Sequence, residues 1–435
     1  MNVALPRTKA ESAYLEAFSS GVAGPEWLGR LRRSGYESFA ALGLPHRRLE
    51  DWKWFDLRQI VDRAYPPGPR ATAPANEVAA LISRSPFRSL ARARLVFVNG
   101  VFDEARSQLP ASGDVEFQPL GADGAPQWLK QSVAADGKDP IAALNAAFVS
   151  DGVGLRIAAG ATADAPIELL FVTTAGEPST LTTRNVVVLE EGACATIIET
   201  HLGGADAYVA NSLTEARLGK GSRLDRVKLE AEGPAAIHLA NFHADVGEGA
   251  TLRDFTLTVG GRAVRQQGLV TITGEGADIG ISGAYLLDGR QHADTRLVVD
   301  HAVPHGTSRE LFKCVMDGNS RGVFQGKVTV RPGAQKSDGK QSSHGLLLSE
   351  TAEFDAKPEL EIYADDVICG HGATSGELDE AMLFYLNSRG IPEVEAKSLL
   401  IAAFVGEAFD TVDNEAVRDE LTRLTGEWLV GRHRP

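Results

Sequence analysis

A short turn containing glycine recurs along the middle of this chain and constrains the fold more than any other feature. The intervals between successive turn glycines are 32, 29, 28, 27, 30 and 27 residues, and the glycines are Gly160, Gly192, Gly221, Gly249, Gly276, Gly306 and Gly333. The segments between them contain β-branched or alternating runs, as in 186–189, 252–259 and 296–299, which favour strands. The period of about 28 residues therefore predicts an internal repeat made of short strands.

Repeats of this length are typical of a β-solenoid, in which successive coils stack and bury their apolar faces on each other. An antiparallel sandwich is the main alternative. A propeller fits less well, because one four-stranded blade needs roughly 40 to 45 residues. We expect a mainly β fold organised as a solenoid.

Helical patterns flank the repeat on both sides. Apolar residues recur at helix spacing in 14–18, 27–31 and 78–82, and the run RLVFVNGVF, with Asn99-Gly100 at its turn, predicts a short hairpin. From Leu378 the pattern is helical again, with three helices separated by stops near 390 and 410. The predicted regions are an α-rich part with a hairpin over 1–150, a β-helix core over 151–372 and a helical domain over 373–435.

Charge and cysteine content exclude several classes of protein. The formal net charge is −14, and residues 350–428 alone hold 19 acidic and 5 basic residues, so no basic surface for nucleic acid is expected. No signal peptide is apparent near the N-terminus, and no apolar run approaches the roughly 20 residues of a membrane span. Cys194, Cys314 and Cys369 lie far apart, which is typical of free thiols in a reducing compartment. These features predict a cytoplasmic protein.

Several common catalytic motifs are missing from the sequence, which contains no GxxxxGK[ST], CxxC or HExxH pattern. Most histidines fall in the repeat region, where turn or surface positions are more common than metal ligands. The enzyme class that stays open is a β-helix acting on carbohydrate, which needs paired carboxylates on one face. The available carboxylates are scattered beside turns and are Asp225, Asp254, Glu275 and Asp278.

The run Cys369-Gly370-His371 is the one local group with ligand chemistry. On a continuing strand, Cys369 and His371 point to the same side and offer a thiolate and an imidazole to one metal ion. An iron or zinc site needs about four ligands, so the others would come from elsewhere or from a partner chain. Taken alone, these residues are explained more simply by a strand end with a buried cysteine and a His-Gly turn.

Two longer segments resemble a known family. Residues 357–409, KPELEIYADDVICGHGATSGELDEAMLFYLNSRGIPEVEAKSLLIAAFVGEAF, closely resemble the C-terminal signature of the SufB/SufD family of iron-sulfur cluster assembly proteins, and RRLEDWKWFDLR at 47–58 resembles the SufD branch of that family. The resemblance extends over nearly the whole chain. It implies a right-handed parallel β-helix flanked by helical N- and C-terminal regions, in agreement with the repeat.

The resemblance also implies a function. It predicts a non-enzymatic scaffold subunit of the SUF complex that pairs with SufB and docks the SufC ATPase on its C-terminal helices, expected to form a separable module. Alone, the chain would pair with itself. No cofactor would be held stably by the isolated chain, whereas an iron-sulfur cluster or iron would be held transiently at the SufB–SufD junction. There His371 would be a metal ligand, and Cys369 either a second ligand or a packing residue.

Overall fold

The computed structural model describes residues 6–21, 25–68, 73–110, 113–133, 137–163 and 165–431. They form a β-solenoid of about 8 turns with helices at both ends of the sequence. The strands are β1 (Ala93–Val98), β2 (Val101–Phe102), β3 (Val115–Pro119), β4 (Asp151–Ile157), β5 (Ile167–Thr173), β6 (Thr180–Leu189), β7 (Cys194–Gly203), β8 (Val209–Leu218), β9 (Arg223–Ala231), β10 (Ile237–Val246), β11 (Thr251–Thr258), β12 (Ala263–Ile272), β13 (Asp278–Leu287), β14 (His292–His301), β15 (Thr307–Met316), β16 (Arg321–Val330), β17 (Asp338–Leu347), β18 (Glu353–Ile362) and β19 (Ile368–Gly376).

The strands form two sheets, and each coil contributes one strand to each of them. The first sheet has the order β19-β17-β15-β13-β11-β9-β7-β5-β1-β2, and the second has the order β18-β16-β14-β12-β10-β8-β6-β4-β3. From β4 onward, neighbouring described strands are parallel, as in β8, β10 and β12. The solenoid prediction is therefore confirmed and the antiparallel sandwich is wrong. The predicted hairpin is also present, because β1 and β2 pair antiparallel across Asn99 and Gly100.

The repeated turns have a common backbone conformation. Six of the seven turn glycines have φ between 60° and 87°, a left-handed region that glycine enters without steric cost. At the seventh turn Gly306 is not left-handed, and the preceding residue His305 takes φ 59° instead. The turn needs one left-handed residue per coil, but that residue does not have to be the glycine.

Side chains alternate between the solenoid interior and its outer faces, as expected for strands. On β9, Leu224 belongs to the interior cluster, whereas Val227 and Leu229 face outward into a second cluster. Stacked coils thus bury one column of side chains on the next.

Helices cover the outer faces of both sheets. They are α1 (Lys9–Ser19), α2 (Gly29–Leu42), α3 (Leu57–Ile60), α4 (Ala75–Ser83), α5 (Gln127–Ser132), α6 (Pro140–Phe148), α7 (Glu380–Ser388), α8 (Glu393–Phe409) and α9 (Glu415–Gly431). Helices α1 and α6 pack on the second sheet, where Tyr14 and Phe148 share a cluster with Ile237 and Leu239, whereas α4 packs on the first sheet. No helix in the described ranges is long and apolar enough to cross a membrane.

The C-terminal helices α8 and α9 are part of the folded core. Ile401, Val405 and Phe409 are buried in one cluster with Phe255 and Val315 of the first sheet. Removing these helices would expose that apolar face to water, at about 25 cal/mol per Å². The expectation of a separable C-terminal module is therefore wrong for α8 and α9.

Candidate functional site

The last coil of the solenoid, formed by β18 and β19, has a free side. These strands end the second and the first sheet respectively, so no described strand pairs with their outer edges. Exposure follows from this position: Ile368 is 66% exposed and Tyr363 60% exposed, whereas most residues of β16 are buried. We call this surface the terminal coil.

The two edges of the terminal coil differ in how they are protected. β18 contains Pro358, and its Lys357 lies 2.8 Å from Glu50 and 3.1 Å from Glu359. Proline and charged side chains are the usual means by which an edge strand avoids pairing with another chain. The sequence of β19, ICGHGATSG, has no proline, lysine or carboxylate. The edge of β19 is therefore the one that remains open to pairing.

Cys369 lies on the interior side of the terminal coil. It pairs in register with Gly339 of β17, and its Sγ is 3.6 Å from where a Cβ on Gly339 would be. The side chain is partly buried against Val328, Val330 and Ala334. Burial raises the pKa of the thiol, so the neutral, packed form is favoured in this structure.

His371 lies two residues further along β19 and pairs in register with Gln341. The spacing places it on the same side as Cys369, but it is exposed, because no coil follows. The structure thus brings the two predicted ligands to one side of the terminal coil. Among the described residues, no third histidine, cysteine or carboxylate lies close enough to complete a metal site with them.

Two ladders of interior side chains lead to this pair through the preceding coils. One ladder runs through Ile279, Ser308, Gly339 and Cys369, and the other runs through Ile281, Glu310, Gln341 and His371. Within these four coils each ladder passes from an isoleucine to polar or small residues toward the terminal coil. The interior beneath the two predicted ligands is therefore not an apolar core.

Glu310 is the most unusual residue of these ladders. It is buried, and its carboxylate oxygens meet no hydrogen-bond donor in good geometry among the described residues. Burial raises its pKa to about 7, and the neighbouring Ser308 and Arg309 offset that rise only in part. A carboxyl group with this pKa exchanges its proton near neutral pH.

Sequence reasoning missed Glu310 and Gln341. A signal was present, because Glu310, Gln341 and His371 are separated by 31 and 30 residues, close to the turn-to-turn interval. Aligning the repeats on the turns and projecting the CxH motif backward would have placed both residues beneath His371. The thiols of Cys194 and Cys314 lie in other coils, on β7 and β15, and Cys314 is fully buried.

The carboxylates considered for carbohydrate chemistry are largely engaged by arginines. Asp225 accepts a hydrogen bond from Arg223 at 2.8 Å, Asp254 accepts one from Arg226 at 2.7 Å, and Asp278 contacts Arg253 at 2.5 Å. Such pairs fix the orientation of the carboxylates. This arrangement gives no support to a general acid and base pair.

Comparison with known protein families gives matches over most of the chain. Residues 171–404 match the family described as SUF system FeS cluster assembly, SufBD core domain, and residues 22–169 match the SufBD protein N-terminal region. The chain is 29% identical over 393 residues to the iron-sulfur cluster assembly protein SufD of Escherichia coli, covering 89% of this chain and 90% of that protein.

Two further relatives agree with this match. Identity is 30% over 412 residues to an iron-sulfur cluster assembly SufBD family protein of Synechocystis, covering 90% of this chain and 88% of that protein. Identity to the iron-sulfur cluster assembly protein SufD of Bacillus subtilis is 25% over 316 residues, covering 68% of each chain. Since the core match alone spans more than half of the 435 residues, the chain belongs to the SufBD family of iron-sulfur cluster assembly proteins.

Proposed function

We propose that this chain is a non-enzymatic scaffold subunit of an iron-sulfur cluster assembly complex. It pairs through its terminal coil with a SufB-type chain, carries a SufC-type ATPase on its C-terminal helices and contributes His371 to iron or a nascent cluster at the junction. The cluster is cargo, held transiently, and the isolated chain holds none stably. Family membership and the resemblance to the SufD branch support this role.

One observation carries the proposal. The terminal coil presents an imidazole and a thiol on its interior side, next to the unprotected edge of β19. Two ligands hold a metal weakly, and a second chain that adds to the edge would supply the missing ligands. Ligand chemistry and partner docking thus coincide at one end of the solenoid.

The pairing edge can be tested without disturbing the chain itself. Gly372 lies on β19, and a Cβ added there would meet no heavy atom within 4 Å. Gly372→Lys should therefore leave the thermal midpoint nearly unchanged while weakening capture of a SufB-type chain at least about tenfold, since edge lysines oppose strand addition. The matched control is Gly29→Lys at the start of α2, where an added Cβ also meets nothing.

In the absence of a SufB-type chain, the same edge should pair two copies of this chain. Wild type should then sediment as a dimer at micromolar concentration, and Gly372→Lys should shift it toward monomer. Unchanged capture and unchanged dimerisation in this variant would refute the role of β19.

Docking of the ATPase is assigned to α7 and the start of α8. None of the residues of α7 is buried, and Phe384 is 74% exposed, Tyr385 51% and Val394 58%. Exposed apolar groups of this size on two consecutive helices indicate an interaction surface. The acidic residues around them favour a basic partner surface.

A substitution on α7 tests this assignment better than truncation, because α8 and α9 belong to the core. Phe384→Asp should abolish capture of a SufC-type ATPase and leave folding intact. Val430→Asp on α9, where the wild-type side chain is 61% exposed, is the control and should retain capture. Equal capture by both variants would place the docking surface elsewhere.

The two surfaces suggest how nucleotide binding could act on the junction. Closure of paired ATPase subunits would rotate the chains that they hold, and a site with ligands from two chains changes geometry when those chains rotate. His371 would then gain or lose contact with iron or sulfide as the ATPase cycles.

A further inference from the structure

The middle coils enclose charged side chains inside the solenoid, far along the chain from the terminal coil. We call Glu199, Arg226, Lys228, Glu230, Glu232, His238 and Asp254 the core charged cluster. All seven are buried. Buried charges are costly unless they are paired or bind a metal, so each group needs a partner.

One half of the cluster is held together by an arginine. Arg226 donates to Glu199 and to Asp254, each at 2.7 Å. This arginine lies between its two carboxylates in successive coils, since Arg226 and Asp254 pair in register.

The other half of the cluster contains a carboxylate oxygen that has no hydrogen-bond partner among the described residues. His238 Nδ1 lies 2.7 Å from Glu232 Oε2, and Lys228 Nζ lies 2.8 Å from His238 Nε2. One oxygen of Glu230, Oε2, meets no hydrogen-bond partner among the described residues. Its register neighbours are His201 on one side and Thr258 on the other, and neither His201 Nε2 nor Thr258 Oγ1 has a partner in the described structure. Unpartnered polar atoms therefore surround Glu230 in three successive coils.

The net charge of the core charged cluster also favours a bound cation. With all carboxylates ionised, the cluster holds four negative groups, namely Glu199, Glu230, Glu232 and Asp254, and two positive groups, namely Arg226 and Lys228. The net charge is then −2 in a site without solvent, which favours the uptake of a cation. Ligand atoms of Glu230, Glu232 and His238 already lie within 4.8 Å of one another, close enough to share one ion.

We propose that Glu230, Glu232 and His238 form a binding site for one divalent first-row transition-metal ion inside the solenoid. An imidazole with two carboxylates suits Zn²⁺, Fe²⁺ or Mn²⁺ better than Mg²⁺, which prefers oxygen ligands and retains its waters. Lys228 occupies His238 Nε2, so the metal takes Nδ1, between the ring and Glu232. His201 Nε2 is the candidate for a fourth ligand, because its ring packs edge-on against His238 with centroids 4.7 Å apart.

A metal bound to Nδ1 leaves the neutral ring with its proton on Nε2. That N–H then donates a hydrogen bond to Lys228 Nζ, which has released one proton to solvent. This site does not depend on the proposed role of the terminal coil.

The test uses the full chain and Co²⁺ or Zn²⁺ as the probe. After chelation, the protein is incubated with the metal natively and, in a second arm, refolded with it, because the site is buried; bound metal is then counted after gel filtration. Wild type should retain about one ion per chain. The isosteric variants Glu230→Gln and Glu232→Gln should lose affinity at least about tenfold, whereas His301→Gln, another buried histidine outside the cluster, should not.

His371→Ala separates this site from the terminal coil and should retain the ion. The proposal is overturned if wild type holds no metal in either arm, or if His371→Ala loses the metal while Glu232→Gln keeps it. If the Gln variants do not fold, wild type decides: bound metal must raise its thermal midpoint, and an unchanged midpoint at saturating Co²⁺ contradicts the site.

Discussion

The core charged cluster and the terminal coil present polar side chains to the solenoid interior by the same alternation, yet their environments differ. Arg226 and Lys228 on β9 are covered by coils on both sides, whereas Cys369 and His371 on β19 are covered on one side only. Arg226 is 5% exposed in its side chain, while His371 is exposed. The chemistry available to an inward-facing residue thus depends on whether another coil follows.

This difference separates two roles for similar residue types. In covered coils a charge must be neutralised within the chain, because water cannot reach it. On the terminal coil, water or a partner chain can supply the missing interactions. Residues there are free to exchange ligands, which a site for transient cargo requires.

The largest loss of unfolding free energy is expected when Arg226, which has a coil on each side, is replaced. Arg226→Met leaves Glu199 and Asp254 buried without their counter-charge, and loss of one member of such a network costs about 3 to 5 kcal/mol of unfolding free energy. The control is Arg331→Met. Arg331 pairs with Asp300 on the surface and is 54% exposed, so its loss should cost less than about 1 kcal/mol. Denaturant unfolding measures both, and equal losses would refute the comparison.

Glu310 lies between the two environments and should make stability depend on pH. Its pKa of about 7 in the folded chain is above the ordinary value of 4.5. The stabilisation by its neutral form is therefore complete below about pH 4.5 and is lost as pH rises through about 7. Glu310→Gln should gain up to about 3 kcal/mol over wild type at pH 8 and little at pH 4.5.

The control for Glu310→Gln is Glu248→Gln, which replaces an exposed carboxylate paired with Lys220. Its effect on unfolding free energy should be small at both pH values. A flat difference between Glu310→Gln and wild type across the same range would show that Glu310 is not held neutral.

A smaller difference in unfolding free energy is expected between alanine substitutions at the two inward-facing cysteines. Cys314 is fully buried in the covered interior, whereas Cys369 is only partly buried. Cys314→Ala should cost about 1 to 2 kcal/mol through the cavity left behind, and Cys369→Ala should cost less than about 1 kcal/mol. If Cys369→Ala is the more destabilising change, the terminal coil is better packed than we describe.

The solenoid could be predicted from the sequence because its signal is periodic. Turn glycines near every 28 residues and alternating runs between them are local features, and stacking follows from them. The three C-terminal helices could be predicted for the same reason. Their packing on the first sheet could not, since the apolar face of α8 gives no indication of which surface covers it.

The candidate site was only partly predictable. Cys369 and His371 are adjacent in sequence and could be identified from the CxH spacing and the family resemblance. Glu310 and Gln341 join them only through strand register, and the core charged cluster combines β7, β9, β10 and β11. Such groups come together by stacking, so a single-sequence reading identifies their coils but not their contacts.

The most direct measurement of the central claim compares two histidines on neighbouring strands. His371 faces the interior side of the terminal coil, whereas His344 of β17 contacts Thr374 through Nδ1 at 2.7 Å and belongs to the opposite alternation. Each is changed to alanine, co-expressed with SufB- and SufC-type partners, purified as the complex and reconstituted. Both complexes should form, because either change costs within about 1 kcal/mol. Bound iron and acid-labile sulfide should then fall severely in His371→Ala and remain near wild type in His344→Ala; wild-type levels in His371→Ala would contradict the account.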